Sequence, residues 1–343
     1  MSASTPRPRL AVTLGDPAGI GPEIAARTLA DPPADVGVDG LAVGDAGALR
    51  RAVEVCGLDV TVRAVASPSH ATSEPGVIDV VDVGGPGAGV AWGRVSAEAG
   101  RSAVAAIEAA TRLALDGEVA GVVTGPIHKE AIWAAGATHL GHTEMLAALT
   151  GRDRAQTMFL VRGLAIFFTT RHMALREAID GVTREAVGQA ISEAWQALRV
   201  LGHDAPRLAV AALNPHGGEG GSFGDEELTA IGPACEDARE AGMPVTGPVP
   251  ADAVFHQGVS GRYDAVLCHV HDQGHIAAKT LDFEGTVSVT MGLPILRTSV
   301  DHGTAFDIAG TGAASPGTLA EAYRAAADLA PRAAALRRAY PPG

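Results

Sequence analysis

Short apolar runs alternate with amphipathic helical patterns along most of this 343-residue chain, and the alternation limits the folds it can adopt. Arg9–Leu14, Gly121–Val123 and Leu208–Leu213 are typical of buried strands, whereas Ser96–Leu115 and Thr183–Leu201 carry apolar residues at helical spacing. Strands that alternate with helices form mainly parallel sheets covered by helices on both faces. The sequence therefore predicts an α/β fold.

The remaining pattern extends the same architecture over the whole chain. Further strands are predicted at Leu41–Val43, Val60–Val65, Thr157–Val161, Leu164–Thr169, Asp264–Val270 and Thr286–Met291, and further helices near Pro22 and over Asp225–Ala241 and Leu319–Ala339. A chain of this length is long enough for two α/β lobes. We place the first lobe at residues 1–140 and 305–343 and the second at 141–304, although no change of composition marks these boundaries.

Charge and composition exclude several classes of protein. The net charge is −13, so the chain lacks the basic footprint that nucleic-acid binding requires. No run approaches the roughly 18 apolar residues of a membrane span, and the first residues do not resemble a signal peptide. The three cysteines form no C-x-x-C pair, which argues against a disulfide scaffold. We expect a cytoplasmic protein with neither membrane nor nucleic acid as a partner.

Three histidines at the ends of predicted strands suggest a metal site. They are His172, His216 and His271, and the last shares a strand period of two with His269. A single histidine is more often a hydrogen-bonded core or surface residue than a ligand. Three imidazoles from separate segments, however, leave open the coordination positions that a catalytic metal needs.

Two glycine-rich segments are candidate ligand loops. Thr13–Glu23 lies between a strand and a helix, and its pattern fits either an anion-binding loop or a tight turn; it lacks the G-K-[ST] of a P-loop. Leu213–Asp225 follows a buried strand and precedes a helix, which is where α/β sheets bind ligands.

Other polar residues suit an anionic group. His142 and Thr143 lie side by side at a predicted helix start, and we favour contact with a phosphate or carboxylate over a purely structural cap. Arg297 is a bidentate donor followed by small residues, which favours ligand contact over a surface salt bridge.

Taken together, these motifs resemble the 4-hydroxythreonine-4-phosphate dehydrogenase family, known as PdxA. The matching segments run in order from residue 13 to about residue 316: TLGDPAGIGPE, TGPIHKE, GHTE, LNPHGGEGG, HDQG and LPILRTSVDHGTAFDIAG. The stretch HGTAFDIAG is also similar to the nucleotide loop of isocitrate and isopropylmalate dehydrogenases. The resemblance implies two α/β lobes with a central cleft, as in those dehydrogenases.

The resemblance also implies roles for individual residues and a homodimer whose active sites form at the interface in the second lobe. A divalent metal (Zn, Mg, Co or Mn) would be held by ligands drawn from both subunits, namely His172, His216 and His271. The substrate contacts would be His142, Thr143, Asp252, Lys279, Ser288 and Arg297. NAD or NADP would be bound by Asn214, Gly217, Gly218, Gly221, His302, Gly303, Thr304 and Asp307. For proton transfer, Lys279 and Asp272 are both candidates.

The implied activity is metal-dependent oxidation and decarboxylation of a 4-phosphorylated hydroxy acid, with 4-phosphooxy-L-threonine of pyridoxal phosphate biosynthesis as the first expectation. Two departures leave the substrate open, because Ser288 stands where the family pattern predicts Asn, and Arg171 precedes His172 where Thr is commoner. A 4-phosphorylated D-threonate or D-erythronate, or an aromatic cis-dihydrodiol, is an alternative substrate. A metal-dependent phosphatase and a non-catalytic two-lobed binding protein are alternatives of other classes.

Overall fold

The computed structural model describes residues 7–343 of the chain. They form two compact units: one comprises the chain up to Gln156 together with Val287–Gly343, and the other is Thr157–Thr286. This division places 141–156 and 287–304 in the first unit, whereas the predicted boundaries assigned both segments to the second lobe. The reason for the second of these differences is strand pairing, because two strands within 287–304 extend the sheet of the first unit.

The strands predicted from the sequence are all present, although several end earlier than predicted. In chain order the strands are β1 (Arg9–Thr13), β2 (Asp39–Gly44), β3 (Thr61–Val65), β4 (Val77–Asp82), β5 (Gly121–Thr124), β6 (Gln156–Val161), β7 (Leu164–Phe168), β8 (Leu208–Ala211), β9 (Thr246–Val249), β10 (Ala265–Cys268), β11 (Val287–Met291) and β12 (Arg297–Ser299).

The α-helices match the predicted helical segments, except that Glu227–Ile231 of the predicted Asp225–Ala241 helix is a π-helical segment, and several shorter helices occur besides. The α-helices are α1 (Gly21–Ala30), α2 (Ala46–Val55), α3 (Ala97–Asp116), α4 (Lys129–Ala134), α5 (His142–Leu149), α6 (Leu175–Asp180), α7 (Arg184–Leu201), α8 (Gly232–Glu240), α9 (Ala251–Val259), α10 (His271–Leu281), α11 (Gly317–Leu329) and α12 (Ala333–Ala339). None of the helices in residues 7–343 is long and apolar enough to cross a membrane.

In the first unit the strands follow the spatial order β3-β4-β2-β1-β5-β12-β11. Their pairings are parallel except that of β11 with β12. The long helix α3 begins at Ser96, whose hydroxyl accepts from the Ala99 N–H, and ends at Gly117 in a left-handed conformation. Its Ile107 packs into the core with Val122 of β5. The predicted α/β fold with mainly parallel strands is thus confirmed.

The second unit repeats the arrangement with the order β6-β7-β10-β8-β9. Only β6 and β7 pair in antiparallel fashion, as expected for neighbours joined by the short Arg162-Gly163 turn. Helix α7 starts at Thr183, whose hydroxyl accepts from the Ala186 N–H, as its predicted start implied. The core of this unit contains Phe159, Ile166 and Val266, and burying each such side chain contributes about 1.5–3 kcal/mol.

One prediction about local structure is wrong. Strand β10 ends at Cys268, so His269 and His271 do not alternate along one strand. His269 is wholly buried; its Nδ1 lies 3.1 Å from Thr169 Oγ1 and its Nε2 lies 2.7 Å from the Ala211 carbonyl oxygen. His271 is instead the first residue of α10. The two side chains therefore have different surroundings, one in the core and one near the surface.

Candidate functional site

In the first unit, neighbouring strands converge on the buried Arg297. Because β12 lies between β5 and β11, Arg297 pairs with Val122 on one side and with Thr290 on the other. Its Nε and Nη2 donate to Thr124 Oγ1 at 3.0 and 2.7 Å, and its Nη1 donates to Thr290 Oγ1 at 3.0 Å. The two hydroxyls orient the guanidinium but carry no charge that would compensate it.

Burial lowers the pKa of Arg297 to about 10, although the Glu144 charge acts in the opposite direction. The side chain is 4% exposed. Within residues 7–343, no carboxylate accepts a hydrogen bond from this guanidinium. A buried cation without a hydrogen-bonded counterion is costly, and the Glu144 charge offsets the effect of burial only in part, so the chemistry of this position fits an anionic ligand.

His142, at the start of α5, belongs to the same site as Arg297. Burial and the Arg297 charge hold the pKa of its imidazole well below the ordinary range, so the ring is neutral at pH 7. Its Nε2 is buried, and no group of residues 7–343 forms a hydrogen bond with it. The free N–H groups of a helix start favour an anion. The predicted substrate contacts His142 and Arg297 thus interact electrostatically in one unit.

The other predicted substrate contacts lie at different places. Thr143, in the first turn of α5, lines a cavity of about 360 Å³ together with Arg152. Ser288 is a buried residue of β11 and pairs with Ser299. Asp252 and Lys279 belong to the second unit, at the exposed start of α9 and near the end of α10.

The predicted dinucleotide segment of the first unit forms a loop after β12. The His302 ring lies 2.8 Å from Thr318 Oγ1 through Nε2, while Thr304 is buried. Gly303 is exposed, and nothing lies within 4 Å of where its side chain would be. Asp307 is exposed, and a carboxylate at such a place can accept the hydroxyls of a ribose. These residues suit a dinucleotide.

In the second unit, His172 and His271 lie close together, with ring centroids 5.8 Å apart. Both line a cavity of about 460 Å³ whose wall includes exposed Met173 and Leu175. Nδ1 of His271 lies 2.7 Å from Asp272 Oδ1, which leaves Nε2 available as a ligand. The Asp272 carboxylate thus lies against the His271 ring, and its expected role in proton transfer stays a prediction.

The third predicted ligand, His216, does not complete a site within one chain. Its Nδ1 lies 3.0 Å from Glu219 Oε1, and its side chain is 66% exposed. No group of three or more His, Cys, Asp or Glu side chains in residues 7–343 is arranged to hold a metal ion. The structure thus brings together two of the three predicted imidazoles.

The glycine-rich loop around His216 adopts a run of left-handed residues from His216 to Gly221. Asn214 donates from Nδ2 to Glu226 Oε2 at 2.6 Å and to Glu227 Oε2 at 2.9 Å, so its amide hydrogens are used inside the fold. Gly218 is buried, and a Cβ there would lie 2.8 Å from Glu227 Oε2. These two predicted cofactor residues shape the loop, whereas Gly217 and Gly221 contribute left-handed backbone.

Several residues of these sites were not predicted from the sequence. Thr124 and Thr290 orient Arg297, and the buried Glu227 accepts from the Leu213 and Asn214 N–H groups at 2.8 Å. Thr124 is the first residue of the TGPIHKE motif, at the end of a strand. Its place at the end of a strand and inside a motif is the feature of the sequence from which its role could have been predicted.

Comparison with known proteins bears on these sites. The profile of the family described as "Pyridoxal phosphate biosynthetic protein PdxA" matches residues 38–326. A relative from Cutibacterium acnes, named "Putative D-threonate 4-phosphate dehydrogenase", is 55% identical and covers 98% of this chain and 97% of its own. A relative of the same name from Symbiobacterium thermophilum is 50% identical, with 97% and 98% covered. The crystal structure of 4-hydroxythreonine-4-phosphate dehydrogenase from Klebsiella pneumoniae is 42% identical with a TM-score of 0.88, covering 94% of this chain and 99% of that one.

Proposed function

The chain belongs to the PdxA family, and from that premise we propose that it oxidises a 4-phosphorylated hydroxy acid with a nicotinamide dinucleotide as hydride acceptor. Membership of this family was predicted from the motifs and is confirmed. The relatives named above are dehydrogenases, which confirms the predicted oxidoreductase class. What we propose beyond the family and the enzyme class is the substrate, the cofactor and the metal.

The observation that carries the proposal is the buried guanidinium of Arg297. Three hydrogen bonds to threonine hydroxyls fix its orientation, and no carboxylate of residues 7–343 accepts a hydrogen bond from it. An anionic substrate group would supply the missing counterion, and the neutral imidazole of His142 offers an unpartnered Nε2 nearby. A phosphoryl or carboxylate group is the chemical class that this pair binds.

We choose 4-phospho-D-threonate as the substrate. Two relatives at 55% and 50% identity are named for D-threonate 4-phosphate, whereas the solved structure named for 4-hydroxythreonine-4-phosphate is 42% identical. The compounds differ at carbon 2, which bears a hydroxyl in the threonate and an amino group in 4-phosphooxy-L-threonine. The latter remains the second candidate and would link the chain to pyridoxal phosphate biosynthesis.

We propose further that His172 and His271 hold a divalent metal together with His216 of a second copy of the chain. Two neighbouring imidazoles, one of them in contact with Asp272, have the donor chemistry of such a site. The exposed Met173 and Leu175 beside them favour a homodimer that covers this cavity. When bound, a divalent metal would lower the pKa of the substrate hydroxyl and stabilise negative charge on the oxygen.

The residues of the chain then have distinct roles. Arg297 and His142 bind and orient the anionic group, and Asp307 with Gly303 accommodates the dinucleotide, which supplies hydride acceptance when bound. Lys279 is the candidate for moving the proton of the substrate hydroxyl, because Asp272 is engaged by His271. We place the enzyme in the cytoplasm, where its three cysteines remain free thiols.

A substrate panel tests the proposed activity. The purified chain, a divalent metal and NAD or NADP are mixed in turn with 4-phospho-D-threonate, 4-phospho-D-erythronate, 4-phosphooxy-L-threonine and an aromatic cis-dihydrodiol, and reduced dinucleotide is followed by absorbance. We expect the highest kcat/KM with the threonate. Preference for an aromatic cis-dihydrodiol that carries no carboxylate would contradict the role given to Arg297.

Mixing two inactive variants tests the shared metal site. His172→Ala and His216→Ala should each lose bound metal and activity. In a mixed dimer one of the two sites retains all three imidazoles, so random exchange should restore about a quarter of the unsubstituted activity. A mixture that dimerises yet stays inactive would contradict ligands drawn from two chains.

A further inference from the structure

The motif Thr13–Glu23 has no role in the function proposed so far, yet it contains a carboxylate with an unusual environment. Glu23 lies in the first turn of α1 and is 0% exposed. Its Oε1 accepts from the Gly310 N–H at 2.6 Å and its Oε2 accepts from the Gly312 N–H at 2.9 Å. Both carboxylate oxygens are thus committed to the backbone of the loop after β12.

The same helix holds this loop at further points. One turn after Glu23, Arg27 donates from Nη2 to the Gly312 carbonyl oxygen at 2.6 Å. The N–H of Ile20 donates to the Thr304 carbonyl oxygen at 3.0 Å. The loop is therefore fixed at both ends by the segment 20–27.

Close packing leaves little freedom to the contact. A Cβ on Gly19 would lie 2.8 Å from the Thr304 Cβ, so only glycine permits this approach. Gly310 and Gly312 both have left-handed backbone, with φ of +80° and +70°. A loop of this shape needs external hydrogen bonds, because its own backbone groups do not pair as in a helix or a sheet.

The helix start is not available to an external anion. A Cβ on Gly21 would lie 2.1 Å from the Leu14 carbonyl oxygen, so the backbone before α1 is packed against itself. The carboxylates of Asp16 and Glu23, both 0% exposed, already place negative charge there. Of the two expectations for the motif, an anion-binding loop and a tight turn, the geometry favours the turn.

We propose that Glu23 is a positioning residue for the dinucleotide, acting through the loop that carries His302, Gly303 and Asp307. The inference rests on the proposed function, which assigns the dinucleotide to this loop. A carboxylate accepts from both N–H groups at once. An amide offers only one acceptor atom, so Glu23→Gln leaves one buried N–H unsatisfied and lets the loop shift.

Direct titration with NADH and NADPH, followed by fluorescence, tests the proposal without turnover. We expect Glu23→Gln to raise the Kd of the dinucleotide at least about tenfold, which corresponds to ~1.4 kcal/mol. Affinity for the phosphorylated acid should change less than about twofold. General loosening of the fold would weaken both ligands and would not produce this difference between them.

Asp45→Asn is the matched control, because Asp45 is also a buried carboxylate of the first unit. It caps helix α2 by accepting from the Gly47 and Ala48 N–H groups, and it also accepts from the Gly87 N–H. Its dinucleotide affinity should stay within about twofold of the unsubstituted chain. Should Glu23→Gln fail to fold, Arg27→Met removes the neighbouring contact to Gly312 and is expected to weaken dinucleotide binding in the same direction.

The outcomes distinguish failure of the proposed dinucleotide binding from failure of the positioning role of Glu23. If the unsubstituted chain binds neither dinucleotide, the cofactor part of the proposed function fails, and this inference fails with it. If the unsubstituted chain binds and Glu23→Gln binds equally well, or if Asp45→Asn loses as much affinity, only the positioning role of Glu23 is overturned.

Discussion

Replacing Arg297 tests whether its buried charge binds an anionic substrate. Burial lowers the pKa of Arg297 to about 10, against an ordinary value of roughly 12.5, and a difference of one in pKa corresponds to about 1.4 kcal/mol. Keeping the guanidinium charged inside the unit therefore costs about 3 kcal/mol. A bound anion would offset this cost directly.

Arg297→Met keeps much of the side-chain volume and removes the charge. Losing one partner of a buried charge pair costs about 2–5 kcal/mol in binding, which corresponds to a Kd for the phosphorylated acid raised roughly 30-fold to several thousand-fold. Isothermal titration calorimetry with the substrate and no dinucleotide measures this change without turnover. The substrate should also raise the Tm of the unsubstituted chain but not that of the variant.

Arg297→Lys serves as the matched variant. It retains a positive charge but cannot donate to Thr124 and Thr290 in the same fixed arrangement. We expect an intermediate affinity, below that of the unsubstituted chain and above that of Arg297→Met. Equal substrate affinity in all three proteins would refute the reasoning, because the guanidinium would then have a purely structural role.

Three further predictions concern the second unit. Burial alone would raise the pKa of Glu227, but hydrogen bonds from the Asn214 amide and nearby backbone hold that pKa below its ordinary range. The ionised carboxylate therefore stabilises the fold above about pH 4.3, and this stabilisation is lost as the pH falls. Urea titrations at several pH values should show that the free energy of unfolding falls less on acidification in Glu227→Gln than in the unsubstituted chain. Asp272→Ala should weaken metal binding about 10- to 100-fold, measured by chelator competition, because His271 loses its orienting carboxylate. Gly218→Ala should lower the free energy of unfolding by at least ~1 kcal/mol, since φ is +76° and the new Cβ would meet the Glu227 carboxylate. Unchanged urea unfolding curves would contradict the predictions for Glu227 and Gly218, and unchanged chelator competition would contradict the prediction for Asp272.

The sequence predicted the helices and strands well because apolar residues recur at the spacing of the buried face of each element. Apolar runs such as Leu208–Leu213 and the helical spacing of Thr183–Leu201 appear as β8 and α7. Strands β4, β9 and β12 were not predicted. β12 has only three residues, too few to carry a measurable period, and without it the pairing of 287–304 with the first unit could not be foreseen.

The candidate site was only partly predictable. Arg297 stood out by residue type, but its partner Thr124 lies 173 positions away, and only the parallel pairing of β5 with β12 brings them together. His271 was expected to continue the alternation of the predicted strand that ends at Val270, because alternation and a helix start look alike over three residues. The commitment of Asn214 to two carboxylates likewise depends on a tertiary contact that no local pattern contains.

The most direct test of the central claim is a product balance for one reaction. The purified chain is incubated with a divalent metal, NAD and 4-phospho-D-threonate, and NADH, carbon dioxide and inorganic phosphate are measured in the same sample. We predict that NADH and carbon dioxide form in equal amounts while the phosphoryl group stays on the carbon chain. Release of inorganic phosphate without NADH would contradict the account and favour a metal-dependent phosphatase.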